Sequence, residues 1–373
     1  MSDTTLILLG AGSSTRFKAD VKKQWLYSGD MPLWLHVAQT FASVAAFKKI
    51  IIVSSKEEID FMQNFANFIY VEGGDSRQAS LTHAMEYVDS EYVLVSDIAR
   101  CCIDKETIQR ILDAKTKASC IVPVLNVVDT LYLEGTPIDR EKAKIIQTPQ
   151  LSIARILKKA LNTVKSFTDE SSAIADLGES VAFVAGSAMA HKLTTIEDLT
   201  KLSCLKAPSP KTLTGFGVDI HPFESGKTMF LCGVQIDTEY GFKAHSDGDV
   251  AIHALIDALL GAAGMGDIGE LYPDTDEAYR GADSKVLLRD TVRRLTSFGY
   301  VLGNVDLTIM AETPKLMSYK SLMRQSLASL LGIGQHLVNI KATTAEKLGF
   351  VGRKEGVAVY AVANLTYFNW KAL

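Results

Sequence analysis

Residues 217–221 have the sequence GVDIH, and residues 244–253 have the sequence AHSDGDVAIH. The first segment lies within GFGVDIHPF, where the alternation of a strand places the side chains of Asp219 and His221 on one face. The second segment predicts the beginning of a helix that carries His253 and continues into an apolar run. A strand followed by a helix therefore brings one carboxylate and two imidazoles together in an α+β unit.

The polar residues of AHSDGDVAIH have separate expected roles. Ser246 or Asp247 is predicted to cap the helix, and Asp249 lies four residues before His253, on the same side. We expect Asp249 to orient a ligand through a hydrogen bond. Two imidazoles and one carboxylate form the open three-ligand site that zinc uses when it leaves room for substrate. The alternative is a pair of ordinary polar histidines, but three of the seven histidines of the chain lie in these two segments.

Length and composition limit the class of protein. A chain of 373 residues exceeds one ordinary core, so two domains are expected. A hydrophobic content of 47% and a net charge of -4, without a basic tract, indicate a globular protein that binds neither nucleic acid nor membrane. The amino-terminal sequence MSDTTLILLGAG resembles neither a signal peptide nor an anchor, so we expect a cytoplasmic location.

The positions of the five cysteines suggest neither a disulfide framework nor a metal site. Cys101 and Cys102 are adjacent, whereas Cys120, Cys204 and Cys232 are scattered, and no CxxC spacing occurs. We expect all five to be reduced thiols in the core.

A Pro- and Ser-containing segment, KAPSPK, separates two patterns of predicted structure. Residues 1–206 are predicted to form the first domain, residues 207–211 the linker and residues 212–373 the second domain. Strands such as TLILLGAG, KKIIIVSS and EYVLVSD alternate with helical segments in the first domain, which predicts a Rossmann-like, three-layer α/β fold with a mainly parallel sheet. The second domain is predicted to be a smaller α+β unit.

The first predicted strand ends in LLGAGSSTRF. Its turn contains Gly12, Ser13 and Ser14, whose backbone amides could bind a phosphate, and Arg16 follows closely. Tight packing is the alternative explanation for such a turn. Lys23 follows soon after and could stabilise negative charge on a phosphoryl group during transfer.

Two further polar segments follow strands of the same predicted sheet. GGDSRQAS at residues 73–80 opens a helix, and SDIAR at residues 96–100 ends an apolar strand. The carboxyl edge of an open α/β sheet is where ligands bind, so these segments are predicted to share one site with Arg16 and Lys23. Asp97 is a candidate partner for Mg²⁺ or a ribose, with an ordinary turn aspartate as the alternative.

These motifs resemble two enzyme families. The first half resembles 2-C-methyl-D-erythritol 4-phosphate cytidylyltransferase, although LGAGSSTR and KKQ stand where that family has PAAGxGxR and PKQ. The second half resembles 2-C-methyl-D-erythritol 2,4-cyclodiphosphate synthase, because DIH, AHSDGDVAIH, GDIG, YPDTD, LGNVD and KATTAEKLGF occur in that family's order. A chain with both halves resembles the bifunctional enzymes of the non-mevalonate isoprenoid pathway.

The first resemblance implies transfer of CMP from CTP to 2-C-methyl-D-erythritol 4-phosphate, with release of pyrophosphate. Arg16 and Lys23 are then the catalytic residues that stabilise the pentavalent phosphorus, and Mg²⁺ binds near Asp97. The implied substrate-binding residues are Gly12, Ser13, Ser14, Asp75, Arg77, Ser80, Asp97, Arg140 and Lys192.

The second resemblance implies cyclisation of 4-CDP-2-C-methyl-D-erythritol 2-phosphate, with release of CMP. It makes His245 and Thr344 catalytic, and Asp219, His221 and His253 the ligands of Zn²⁺, with Mg²⁺ at the diphosphate. The implied substrate-binding residues are Ser246, Asp267, Gly269, Tyr272, Asp274, Ala311, Lys315, Leu316, Thr343, Glu346, Phe350 and Arg353.

The resemblance also implies partners. The synthase family forms trimers and the cytidylyltransferase family dimers, so a trimer-based homo-oligomer, with a hexamer as one closed form, is expected. The intervening phosphorylation needs a separate kinase, and its association with this chain is a hypothesis. The alternative function is a nucleotidyltransferase for another sugar or polyol phosphate, joined to a metal-binding assembly domain without turnover.

Overall fold

The computed structural model describes residues 2–12, 14–244, 246–273, 275–277 and 281–373. The chain forms two compact units, the first of Met1–Pro208 with Asn369–Leu373 and the second of Ser209–Phe368. None of the described helices is both long enough and apolar enough to cross a membrane.

An eight-stranded sheet forms the centre of the first unit. Its first strand, TTLILL, is buried along its whole length, as expected for a parallel sheet covered on both faces. The strands of this unit, including two short hairpins outside the main sheet, are β1 (Thr4–Leu9), β2 (Tyr27–Ser28), β3 (Met31–Pro32), β4 (Lys49–Ser54), β5 (Ile69–Glu72), β6 (Tyr92–Asp97), β7 (Cys120–Asn126), β8 (Leu131–Leu133), β9 (Thr136–Ile138), β10 (Lys144–Ile146), β11 (Gln150–Ile153) and β12 (Val181–Ala185).

The main sheet has the order β10-β7-β11-β6-β1-β4-β5, with β12 beside β7. Strand β1 pairs in parallel with β4 and β6, β4 with β5, and β7 with β12. Strands β10 and β11 pair antiparallel with their neighbours. The prediction of a mainly parallel sheet is confirmed.

Helices cover both faces of this sheet. On one face, Ile7, Val53 and Val95 pack in a single buried cluster with Leu81 and Leu157 from two helices. Alternate residues of the strands point to the opposite face, which gives the predicted three-layer α/β arrangement. The helices of the unit are α1 (Leu33–Ala42), α2 (Lys56–Met62), α3 (Arg77–Met85), α4 (Lys105–Asp113), α5 (Ala154–Leu161) and α6 (Glu170–Asp176).

The cysteines differ from the sequence-based expectation. Cys102 and Cys204 form a disulfide, with their Cα atoms 5.6 Å apart, whereas Cys101, Cys120 and Cys232 are free and buried. The prediction of five reduced thiols is therefore wrong for one pair. Their separation of 102 residues hides the pairing in the sequence, because only the fold brings the two side chains together.

The last five residues belong to the first unit, although the sequence assigned them to the second domain. Trp370 is 2% exposed, and its indole nitrogen donates a hydrogen bond of 2.7 Å to the carbonyl of Tyr27. Lys371 lies over the Trp370 ring and reaches the carbonyl of Leu202.

The second unit is an α+β fold around a five-stranded sheet with the order β16-β13-β19-β17-β18. Strand β13 pairs antiparallel with β19, which pairs antiparallel with β17. The strands are β13 (Leu213–Ser225), β14 (Met229–Leu231), β15 (Val234–Ile236), β16 (Tyr240–Phe242), β17 (Tyr300–Met310), β18 (Val338–Thr343) and β19 (Gly356–Tyr367). The helices are α7 (Val250–Ala263), α8 (Ile268–Leu271), α9 (Ser284–Ser297), α10 (Lys320–Leu331) and α11 (Gly349–Gly352).

Helix α7 lies directly on strand β13, and glycines make this close approach possible. A Cβ atom on Gly217 would come within 2.0 Å of the carbonyl oxygen of Ala254, and one on Gly215 within 2.0 Å of that of Ala258. Asp219 and His221, which lie on the same face of β13 as these glycines, can then face the first turns of α7.

Candidate functional site: a metal centre and a cationic cavity

Asp219 and His221 on β13 face His253 on α7. One ligand atom from each of the three residues lies within 4.8 Å of the others. Asp219 Oδ2 is 3.1 Å from Nε2 of His221 and 3.2 Å from Nδ1 of His253. One carboxylate oxygen and two imidazole nitrogens are a donor set that suits zinc and leaves a position for substrate.

Hydrogen bonds outside this group orient both imidazoles. Nδ1 of His221 lies 3.1 Å from the carbonyl of Gly248, so it carries the proton and leaves Nε2 for a metal. Ser284 donates its hydroxyl proton to Asp247 Oδ1 and therefore accepts from Nε2 of His253 at 2.9 Å. Nδ1 of His253 is thereby left as the ligand atom.

The electrostatics of the group favour the charged carboxylate. Burial raises the pKa of Asp219, but the two neighbouring histidines outweigh it and hold that pKa well below its usual range. Burial lowers the pKa of His221, but the contact with Asp219 outweighs it, and the net shift is upward.

Asp249 has a different role from the predicted one. It is the N-cap of α7, and its carboxylate accepts hydrogen bonds from the backbone amides of Ile252, Cys232 and Gly233. The cap is therefore neither Ser246 nor Asp247, and Asp249 makes its bonds to the backbone. A fully buried carboxylate needs several donors, and residues 232–233, far away in sequence, supply two of them.

The predicted substrate-binding residues around Ala311 and Thr343 lie at the ends of other strands of the same sheet, β17 and β18. Ala311 donates its amide proton to the carbonyl of Thr343, and Thr344 donates to Glu346 at 2.7 Å. Asp219 pairs with Val359, which pairs with Ile309 and, through it, with β18. The segment with Ala311 follows β17, two strand spacings or about 10 Å from the metal group, and the segment with Thr344 follows β18, three spacings or about 14 Å away.

Other predicted residues of the second site have different neighbours. Asp267 caps α8 through the amide of Glu270. The Tyr272 hydroxyl bonds to α9, where Asp290 and Thr291 lie 3.0 Å away, so it supports the core. Arg353 is paired with Glu355. His245 and Asp274, like Ser13 of the first domain, lie outside the described residues.

In the first unit, a cavity of about 440 Å³ lies at the carboxyl edge of the sheet. It combines four cationic side chains with two carboxylates, and so suits a polyanionic ligand. The predicted residues that line it are Gly12, Arg16, Lys23, Asp75, Arg77, Ser80, Asp97 and Lys192.

Asp97 lies between two cations of this cavity. Its carboxylate is 3.2 Å from Nε of Arg77 and 2.6 Å from Nζ of Lys192. Burial raises the pKa of Asp97, but the two cations outweigh it and lower that pKa. One carboxylate among cations fits Mg²⁺ only together with nucleotide phosphates, which is how proteins often bind this ion.

Lys23 reaches the same cavity from the 3-10 helix Lys23–Trp25, and its Nζ lies 3.4 Å from the carbonyl of Leu193. Burial lowers the pKa of Lys23, as do Lys192 and Arg16, whereas Asp97 raises it. The net shift is downward.

Two predicted residues of the first domain are outside the cavity lining. Arg140 lies on an exposed turn, where it donates a hydrogen bond of 2.6 Å to the carbonyl of Val128. Ser14 has a left-handed backbone with a φ of 56°, and its buried hydroxyl has no hydrogen-bond partner among the described residues.

Glu170 was missed by sequence reasoning. It is fully buried, and its carboxylate binds the guanidinium of Arg77 at 2.6 Å and 3.4 Å. Burial raises the pKa of Glu170 despite this pair. In the sequence its surroundings, TDESS, indicate only the N-terminus of a helix.

Comparison with known proteins identifies both halves. The model of the 2-C-methyl-D-erythritol 4-phosphate cytidylyltransferase family matches residues 4–205, and that of the YgbB family matches residues 212–366. The bifunctional enzyme IspD/IspF of Sulfurovum sp. (strain NBC37-1) is 69% identical over 371 residues, which cover 100% of both chains. The chain belongs to the bifunctional IspD/IspF enzymes.

Two further IspD/IspF relatives agree. That of Sulfurimonas denitrificans is 57% identical over 366 residues and covers 98% of this chain and 95% of its own. The solved structure of the bifunctional IspDF from Campylobacter jejuni is 47% identical, with a TM-score of 0.90 over 99% of this chain and 100% of that one.

The IspD/IspF assignment confirms the predicted function. The chain is a bifunctional enzyme of isoprenoid-precursor biosynthesis, with a cytidylyltransferase domain and a cyclodiphosphate synthase domain. Both are divalent-metal enzyme families, and Asp219, His221 and His253 form a possible metal-binding group. This assignment replaces the alternative of a nucleotidyltransferase joined to an inactive assembly domain.

Proposed function

We propose that Arg16, Lys23 and Lys192 carry out cytidylyl transfer in the first unit. A phosphate oxygen of methylerythritol phosphate attacks the α-phosphorus of CTP, the bond to the β-phosphate oxygen breaks, and pyrophosphate leaves. Catalysis of this step consists mainly of positioning and neutralisation of negative charge. The observation that supports the proposal is the convergence of these three cations on one cavity beside Asp97.

The other residues of the cavity receive supporting roles. Gly12, with Ser13 and Ser14, binds the triphosphate, while Asp75 and Ser80 bind the base and ribose. Mg²⁺, when bound, neutralises phosphate charge beside Asp97. Because Arg77 already binds Asp97 and Glu170, we assign it to hold Asp97 in place.

The test is a single-turnover reaction with CTP, methylerythritol phosphate and Mg²⁺, followed by phosphorus NMR. Lys23→Ala should lower the rate at least 100-fold, in the range of oxyanion-type stabilisation. Lys18→Ala, at an exposed lysine outside the cavity lining, is the matched control. A Lys23→Ala enzyme with the rate of the control would refute the role of Lys23.

For the second unit, we propose that Asp219, His221 and His253 bind Zn²⁺. Zinc, when bound, supplies a Lewis acid for the diphosphate. The 2-phosphate of the substrate attacks the β-phosphorus and CMP leaves, with His245 and Thr344 stabilising the transition state. The bonds from His221 to Gly248 and from His253 to Ser284 present the correct ring nitrogens to the metal.

Elemental analysis of the purified protein tests the metal assignment. We expect one zinc per chain, and His253→Ala should remove it and abolish cyclodiphosphate formation while cytidylyl transfer continues. His336→Ala, at an exposed histidine of the same unit, should keep the zinc. Full zinc content in His253→Ala would refute the site.

We propose that the working enzyme is a trimer-based homo-oligomer, with a hexamer as the closed form. The separation of about 10 to 14 Å between the metal group and the segments after β17 and β18 suggests that a second copy completes the substrate site. Arg140 lies beside the hairpin β8–β9, whose Tyr132 and Leu133 are 67% and 65% exposed, so it can serve another copy. Sedimentation of the full chain tests this, and a monomer at assay concentration would refute it.

Three assignments complete the proposal. The activities divide at residues 207–211, so limited proteolysis should cut there first. The enzyme acts in the cytoplasm, where CTP is available. Association with the separate kinase is tested by co-sedimentation of the two proteins.

A further inference from the structure

Glu58 is a buried carboxylate at the start of α2, 1% exposed. Its Oε1 accepts hydrogen bonds from Nε2 of Gln24 and from the indole nitrogen of Trp25, both at 2.7 Å. Its Oε2 accepts from the hydroxyls of Ser54 at 2.9 Å and Ser55 at 2.7 Å. One side chain therefore joins the end of β4 to the 3-10 helix Lys23–Trp25.

The partners of Glu58 flank Lys23 on both sides. Gln24 and Trp25 follow it, and Nζ of Lys22 lies 3.6 Å from Glu58 Oε2. The side chain of Lys23 leaves this group and enters the cavity. The carboxylate thus anchors the side chains on either side of Lys23 while leaving its ammonium group for the substrate.

This arrangement exceeds what the helix α2 needs for its own start. A capping box uses the Ser55 hydroxyl and one carboxylate oxygen, and this oxygen is Glu58 Oε2. The second oxygen, Oε1, accepts from Gln24 and Trp25, in the segment that begins with Lys23. Packing of that segment already has another source, because the Trp25 ring stacks on Phe61 with centroids 5.2 Å apart.

We propose that Glu58 is a positioning residue for cytidylyl transfer, which holds Lys23 where it meets the transferring phosphoryl group. The inference rests on the proposed role of Lys23. Displacement of a catalytic group by about 1 Å can cost about 100-fold in rate, so the tether has a measurable effect. When Glu58 is replaced, the segment Lys23–Trp25 loses its hydrogen bonds to the carboxylate, and Lys23 moves with it.

The experiment measures steady-state cytidylyl transfer by Glu58→Ala, Lys23→Ala and the double variant. Glu58→Ala should lower kcat by about 10- to 100-fold with less than a threefold change in KM for CTP. Added to Lys23→Ala, it should cause no further loss, because Glu58 acts through Lys23. The amide of Glu58→Gln can still accept from Gln24 and Trp25, so this variant should recover most of the rate.

Matched controls separate positioning from stability. Asp60→Asn removes a carboxylate from an exposed position of the same helix and should leave kcat unchanged. Phe61→Leu weakens the packing on Trp25 without touching the carboxylate, and should lower the melting temperature with little change in kcat. If Glu58→Ala does not fold, Glu58→Met, which also removes both acceptor oxygens but fills more of the space, takes its place in the same set of variants.

The outcomes distinguish the role of Glu58 from the role of Lys23. Normal kcat in Glu58→Ala, or losses that multiply in the double variant, would overturn the role of Glu58 and leave that of Lys23 intact. Normal kcat in Lys23→Ala would remove the basis of both. A kcat in Phe61→Leu as low as that in Glu58→Ala would assign the effect to stability and also overturn the inference.

Discussion

Arg77 and Glu170 form an ion pair in which the carboxylate is fully buried. Removing one member of such a pair costs about 3–5 kcal/mol when the other charge is left uncompensated, and Arg77 keeps its bond to Asp97, so the loss should lie at the lower end of this range. We expect Glu170→Ala to lower the free energy of unfolding of the first unit by this amount. Asp176→Ala, on the same helix, breaks only the exposed pair with Lys165 and should cost less than about 1 kcal/mol. Denaturant titration of both variants checks this, and equal losses would contradict it.

The pKa of Lys23 predicts how the rate of cytidylyl transfer depends on pH. Burial, Lys192 and Arg16 lower its pKa, so the ammonium group is present below a pKa that lies under the usual lysine value and is lost as the pH rises through it. The value of kcat/KM for cytidylyl transfer should therefore fall on the alkaline side earlier than an ordinary lysine would allow. In Lys23→Arg this alkaline decline should disappear, because a guanidinium does not titrate there. The same decline in both pH profiles would assign it to another group.

At the scale of elements, the contact of β13 with α7 builds the metal group. Gly217→Ala places a methyl group against the carbonyl of Ala254, so α7 must shift, at a cost of about 1–3 kcal/mol. Zinc affinity should fall with it, because His253 moves away from Asp219. Gly261→Ala, within α7, meets only the Gly215 Cα at 4.0 Å and should be neutral or stabilising by up to about 1 kcal/mol. Zinc titration and melting temperatures of both variants test this. A Gly217→Ala variant with unchanged zinc affinity and melting temperature would contradict it.

The same elements show what a sequence can predict. The period of two in GVDIH and the helical spacing that follows it placed Asp219, His221 and His253 together, because local periodicity sets both faces. The cap of α7 was misassigned, because two donors to Asp249 come from Cys232 and Gly233, which only the fold brings near.

In the first unit, too, local patterns predict some polar groups, whereas long-range contacts hide others. The cationic side chains of the cavity lie at strand ends, and the carboxyl edge of a parallel sheet collects them predictably. Glu170 and the role of Glu58 beside Lys23 were not predicted. The Arg77 partner of Glu170 lies 93 residues away in sequence, and the two partners of Glu58 Oε1 lie 33 and 34 residues away. Long-range pairing of this kind leaves no local pattern.

At the scale of the whole molecule, the chain ends in the unit in which it begins. Trp370 follows the second unit in sequence but is buried in the first, where it bonds to Tyr27. Replacement of a buried tryptophan by alanine costs about 3–5 kcal/mol through lost packing and the cavity that remains. The first unit should therefore depend on residues that the order of the two domains assigns to the other activity.

Trp370→Ala tests this dependence, with each activity serving as the reporter for its own unit. After incubation in denaturant, loss of cytidylyl transfer should occur at a lower concentration than in the parent enzyme. Loss of cyclodiphosphate formation should keep its midpoint, because Trp370 packs in the first unit. Leu373→Ala, at a side chain that is 69% exposed, should change neither midpoint. Equal shifts of both midpoints in Trp370→Ala would mean that the last residues stabilise the whole chain.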